Sequence, residues 1–275
     1  MSVLPFSFSA LDSIAFAASR GRLNQLPPKT KYDAGPLGPF IELGQLCTTG
    51  LLPQPDEASW LNLGAATPLY AALCARQPYW TGKGAGFFRI GESWSGDDTA
   101  WIGFGVAAQR AAAASGFHRK IAAQFAAALS ELVSNVCEHS RQSGSGIAAF
   151  RAVGGEFEFV VADRGIGVLK SLRENPAYKA LGDHGEALQL ALTDGVSRSG
   201  KPDRGKGFRP IFIGLANLSG ALRFRTGDHA YVIDGRKIDA MFAKTAQKVP
   251  IDGFFISVAC RQNQPTKSAR RFVHV

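Results

Sequence analysis

The sequence predicts an α/β fold on three observations. Ile121, Phe125, Ala128, Leu132 and Val136 recur at spacings of four, three, four and four, which lays them along one face of a helix. Phe157, Phe159 and Val161 alternate with Glu156, Glu158 and Val160, the period of a half-buried strand. The chain of 275 residues is 45% hydrophobic and 19% charged, enough apolar material for a sizeable core and too little charge for a disordered chain. Such a length allows one large domain or two of roughly 100–200 residues each.

Composition narrows the functional classes. No apolar run approaches the ~20 residues that span a bilayer. Met1 to Ala10 carries no basic segment of a secretory leader, so no signal peptide is expected. Cys47, Cys74, Cys137 and Cys260 show no Cys-x-x-Cys spacing; they read as free thiols in a reducing cytoplasm. The net charge of +9 suits nucleic acid, a membrane surface or a small anion. Arg198, Lys201, Arg204, Lys206 and Arg209 cluster against Asp203 alone, and Lys267, Arg270 and Arg271 form a basic tail. Each cluster has a single aromatic, Phe208 or Phe272, whereas a groove for single-stranded nucleic acid favours several. Nucleic acid is therefore disfavoured.

Residues 1 to 105 suggest a small mixed α/β domain of unknown role. Ile14 to Ala18 and Leu69 to Cys74 read as short helices, and Phe40 to Leu43 as a strand. Pro27 and Pro28 break any regular element between them. Gly82 to Gly86 is not a phosphate loop, because Gly84 stands where Ser or Thr should follow the lysine. Trp60, Trp80, Trp94 and Trp101 read as core or interface residues. Alanine-rich Val106 to Ser115 favours a helix, and the amphipathic helix follows.

Beyond it, Ser143 to Gly146 is a turn, and Ile147 to Val153 and Phe157 to Ala162 form a hairpin about Gly154-Gly155. Leu169 to Asn175 and Glu186 to Thr193 read as helices, the first ended near Pro176 and the second by Gly195. Ser197 to Phe208 is a loop. Ile211 to Leu218 reads as a helix with Pro210 in its first turn. Leu222-Arg223-Phe224-Arg225 alternates as a strand, which Tyr231 to Ile233 extends. Gly235 to Val249 reads as an insertion or connecting helix, Gly253 to Ala259 as a strand, and the chain past Arg261 as a loose tail.

Two short motifs carry chemistry. Glu131 and Asn135 are four apart on the helix, so they share a face. A carboxylate beside a carboxamide suits a base and an oxygen ligand for Mg²⁺; taken alone, the pair also fits an ordinary polar surface. Asp163-Arg164-Gly165-Ile166-Gly167 ends the second hairpin strand. Its carboxylate can accept from the amino group of a base, and its glycines permit close backbone approach. Taken alone, that segment also fits a plain Asp/Gly turn.

In this order the two motifs resemble the ATP-binding domain of the GHKL superfamily, over residues 108 to 262. Asn135, His139 and Ser140 look most like the anti-sigma-factor serine kinases and stand-alone bacterial ATPases. The resemblance implies a two-layer α/β sandwich with a mixed sheet, here over residues 106–262, followed by a basic tail over 263–275. It implies ATP and Mg²⁺ as cofactors. Asn135 would hold the metal, and Glu131 would act as the catalytic base. Asp163, helped by Thr226, would read the adenine. Gly165, Gly167, Gly205 and Gly207 would wrap the nucleotide, and Lys206, with Arg204, would neutralise phosphate. Phe208, Arg209 and Pro210 depart from the family pattern at the end of that second glycine motif. His118 is beside the motif helix, whereas the family's phosphoacceptor sits on a separate one; His139 would cap the helix or touch the nucleotide. The implied function is a cytoplasmic protein kinase, ATPase or ATP-driven signalling switch acting on a protein partner, with homodimer formation open. A non-catalytic nucleotide-gated module, or a nucleic-acid binder using the basic loop and tail, are the alternatives.

Overall fold

The computed structural model describes residues 3–23, 31–63, 68–91, 98–192, 220–234 and 244–262. In chain order the described elements are β1 (Val3–Pro5), α1 (Phe8–Ser19), β2 (Lys31–Asp33), α2 (Leu37–Thr48), β3 (Leu61–Asn62), α3 (Pro68–Cys74), β4 (Tyr79–Gly82), β5 (Ala85–Arg89), α4 (Thr99–Ala114), α5 (Arg119–His139), β6 (Ile147–Val153), β7 (Glu156–Asp163), α6 (Gly167–Arg173), α7 (His184–Ala191), β8 (Ala221–Asp234) and β9 (Lys244–Arg261). The fold is mixed α/β.

Strands β1, β2 and β3 form a small parallel sheet. The main sheet runs β4-β5-β6-β7-β9-β8 and is antiparallel at every pairing. The sheet that the resemblance implies to be mixed is antiparallel at every described pairing. Connectivity explains this. Gly154 and Gly155, both with positive φ, close a two-residue turn between β6 and β7 whose left-handed backbone matches the twist of a hairpin. Between β5 and β6 the chain passes through two helices rather than one. It returns to the end of the sheet it left, so β6 runs against β5.

Helices cover both faces of this sheet, one layer more than the sandwich implied by resemblance. Side chains alternate along each strand. Phe88, Phe150, Phe157, Phe159, Val161 and Ile256 meet Phe104 of α4 and Phe125, Leu129 and Leu132 of α5. The rings of Phe125 and Phe157 stack at 5.0 Å. Phe87, Ala149, Val160, Ala162 and Phe255 meet Leu11 and Ile14 of α1 and Phe40 and Leu43 of α2 on the other face. Residue 105, where the sequence suggests a boundary, lies inside α4, and strands from both sides of it share one sheet. Among the described residues no helix is long and apolar enough to cross a membrane.

Three local expectations change. Phe40 to Leu43 lies in helix α2 rather than a strand; β-branched and aromatic content there is overridden by packing on the sheet. Glu158 does not face solvent: it is 3% exposed. Its carboxylate accepts from the backbone N–H groups of Leu37 and Gly38, both at 2.7 Å. Those are unpaired donors at the start of α2, where the helix dipole favours an anion. Burial raises the Glu158 carboxyl above its ordinary range, and the two N–H groups oppose that rise. Residues 244–249, expected within an insertion or connecting helix, belong to β9.

Arg223 and Arg225 of β8 point to the same face as Glu158. Glu42 of α2, fully buried, accepts from Arg223 Nε at 2.7 Å and also from Arg225 Nη1. Asp12 of α1 accepts from Arg223 and pairs with Lys248 at 2.7 Å. Burial alone would raise the Asp12 carboxyl; the two cations outweigh it and hold it below its ordinary value. The basic alternation seen in β8 is therefore an internal ion network tying α1 and α2 to the sheet.

Candidate functional site

Helix α5 and strand β7 deliver the two motifs to one end of the sheet. His118 caps the start of α5, its Nδ1 accepting from Lys120 N at 3.3 Å, a structural use of the residue that resemblance also set apart from any phosphoacceptor. At the other end Ser140 follows His139, and the Ser140 carbonyl accepts from Ile166 N at 2.9 Å. The helix end is thus tied directly to the Asp-Arg-Gly-Ile-Gly turn.

Asp163 closes β7 and is 2% exposed. Its Oδ1 accepts from Gly165 N at 2.5 Å. Burial pushes its carboxyl up to about 6, against the opposing pull of the Gly165 N–H and the Ser140 hydroxyl. Gly165 has no room for a side chain: a Cβ there would stand 2.0 Å from the Ser140 carbonyl oxygen. Gly167 has φ +72°, and a Cβ would meet Thr226 Oγ1 at 2.7 Å. Thr226, fully buried, accepts from Val168 N at 3.0 Å and donates to the Gly253 carbonyl at 3.0 Å. Gly253, φ +70°, lies against Asp163, with a Cβ position 2.5 Å from Oδ1.

Four residues singled out by sequence, Asp163, Gly165, Gly167 and Thr226, therefore meet in one cluster. Glu131 is exposed on α5, and Asn135 one turn later is half-buried. Asn135 Nδ2, a donor, is buried with no hydrogen-bond partner among the described residues, a polar group whose burial calls for a partner. Gly205, Lys206 and Gly207 lie outside the described residues. Among the described residues no group of three or more His, Cys, Asp or Glu is arranged to hold a metal ion. The one donor that the resemblance assigns to a metal is the Asn135 carboxamide, which suits Mg²⁺ only when phosphate oxygens and waters complete the shell.

Sequence reasoning missed three contributors. Gly253 looked like the start of a strand, but its positive φ lets the backbone turn beside Asp163. Ser145 Oγ accepts from Arg164 N at 2.9 Å and holds the turn from the β6 side. Gln45 of α2 donates to the carbonyls of Asp163 and Phe254. A glycine inside a predicted strand is the one available signal among these, since it often marks a bulge or close approach. Comparisons with protein-family models, curated proteins and solved structures find no match.

Proposed function

We propose that the chain binds ATP with Mg²⁺ in the manner of the GHKL superfamily and works as a kinase, ATPase or ATP-driven switch on a protein partner. The observation that carries this reading is the meeting of Asp163, Gly165, Gly167 and Thr226 at the end of the helix that bears Glu131 and Asn135. Asp163 offers a buried carboxylate that accepts from the Gly165 N–H and the Ser140 hydroxyl and has lone pairs to spare for the amino group of adenine. A base reaches that carboxylate only when a covering group gives way. Gly165 and Gly167 let the backbone pack closely on Ser140 and Thr226 around that carboxylate. Asn135 supplies a carboxamide oxygen to the metal, which neutralises phosphate charge when bound. Glu131 orients or deprotonates the attacking hydroxyl of water or of a partner's serine.

Calorimetric titration with ATP tests the reading. The wild type binds more tightly with magnesium than with a chelator, and Asn135→Ala removes most of that difference. Asp163→Asn abolishes binding while circular dichroism stays native, because it sets an amide donor where the base needs an acceptor. ATP affinity unchanged by Asp163→Asn overturns the assignment.

A further inference from the structure

A cavity of about 390 Å³ opens on the opposite side of the same sheet end, between α2, α3 and the turn before β6. That volume lies within the roughly 300–1,000 Å³ usual for small-molecule sites. Arg76, Arg89 and Arg164 line it. None of the three has a carboxylate partner among the described residues. Arg89 is oriented by bonds to the carbonyls of Gln77 at 3.1 Å and Leu73 at 3.2 Å. Burial, and then the charges of Arg76 and Arg164, lower its pKa, so each of those two cations lies near enough to repel it. Two carboxylates also line the cavity. Asp56 is exposed, and Asp163 turns Oδ1 to Gly165 N on the far side. On the inner wall, Gln45 is 7% exposed and its Oε1 has no hydrogen-bond partner among the described residues; as an acceptor it can be met only by a hydroxyl or amine on the body of a ligand, not by its charged head. Three guanidiniums with no carboxylate partner among the described residues, around a space of ligand size, make its potential positive and favour an entering anion.

We propose that this cavity is a binding site for a small organic anion, a carboxylate or phosphate compound whose charged head lies among Arg76, Arg89 and Arg164. Guanidinium forks match both head groups in a bidentate fashion. Asp163 borders both this cavity and the candidate nucleotide site, but the proposal does not rest on the nucleotide reading and stands if that reading falls.

The test is two-dimensional ¹H–¹⁵N NMR of the full chain, titrated with inorganic pyrophosphate and, separately, with citrate. The expected result is saturable movement of the Gly144, Ser145, Gly146 and Arg164 amides with at least one probe, the tighter one naming the head group. Arg164→Gln, at an exposed side chain that leaves the fold intact, weakens that binding about tenfold or more, the worth of one charge-assisted bond. Arg89→Gln does the same where its folding is verified by the amide spectrum. No movement of these amides with either probe, or unchanged affinity in Arg164→Gln, overturns the proposal.

Discussion

The side chain of Gln45 donates to the backbone carbonyl of Asp163 at 2.8 Å, across 118 positions of sequence. The same Nε2 reaches the carbonyl of Phe254 at 3.2 Å. Asp163 and Phe254 are neighbours in the β7–β9 ladder. One side chain of α2 thus clamps the two strand ends that frame the candidate site. An element from the first fifty residues positions a carboxylate that the motifs alone assign to a later part of the chain.

Replacing Gln45 by Leu removes both bonds while keeping the volume similar. Two buried carbonyls lose a donor, and a buried group left unmatched costs about 1–3 kcal/mol. The loss of the unpartnered Oε1 offsets part of that. A urea midpoint lowered with the slope unchanged is the expected outcome. An unmoved midpoint would show that the two carbonyls are satisfied without Gln45.

Glu42 sits at the centre of the buried ion network, fully buried between Arg223 and Arg225. Glu42→Leu leaves two guanidiniums in the interior, with only Asp12 beside one of them. Breaking a buried pair from one side costs about 3–5 kcal/mol. Adding Arg225→Leu removes one stranded charge and recovers part of the loss. Chemical denaturation of the single and double variants checks both signs. A double variant less stable than Glu42→Leu would mean that Arg225 is held by its bond to the Val249 carbonyl more than by Glu42.

Local signals were legible where a pattern and a turn agreed. β6 matches its sequence bounds, because Gly154-Gly155 and the alternating strands both specify a hairpin. α5 was legible from its apolar stripe, and Asp163, Gly165 and Gly167 from their motif. The second face of the sheet was not. Nothing in the sequence marks Glu158, Arg223 and Arg225 as buried, because charged residues seldom lie in a core. Their partners Leu37, Gly38, Glu42 and Asp12 lie more than a hundred residues away. Phe40 to Leu43 was misread for a related reason. Almost every residue of α2 is buried, so the helix lacks the polar face that reveals a 3.6-residue period. Gln45 gave no signal at all, since its role exists only once α2 meets the sheet.

The raised pKa of Asp163, about 6, gives two pH effects of opposite sense. The folded-state value lies above the ordinary 3.8, so the folded chain holds this proton more tightly than the unfolded one. Its contribution to stability therefore falls as pH rises from about 4 to about 6, and is flat above. Asp163→Asn removes that slope. Binding runs the other way, because only the ionised carboxylate accepts from an adenine amino group. Affinity for ATP and for adenosine is level above about pH 6 and falls up to tenfold per unit below it. A decline seen with ATP but not adenosine would belong to the phosphates rather than to Asp163.

Glu131 separates chemistry from binding. Its carboxylate is exposed, one helical turn before Asn135, on the flank of α5 that the reading assigns to the phosphates. If it orients or deprotonates the nucleophile, Glu131→Ala lowers turnover or phosphotransfer by about 10²–10⁴-fold, the usual worth of a general base. ATP affinity barely moves, because a carboxylate repels phosphate and adds little to ground-state binding. Single-turnover phosphate release, paired with calorimetry on the same preparation, reads the two quantities independently. Joint loss of affinity and turnover would make Glu131 a structural residue. Full turnover in the variant would place the base elsewhere. Wild-type turnover near zero with every partner tried, alongside intact ATP affinity, would favour a switch driven by nucleotide binding alone, in which Glu131 has no proton to take.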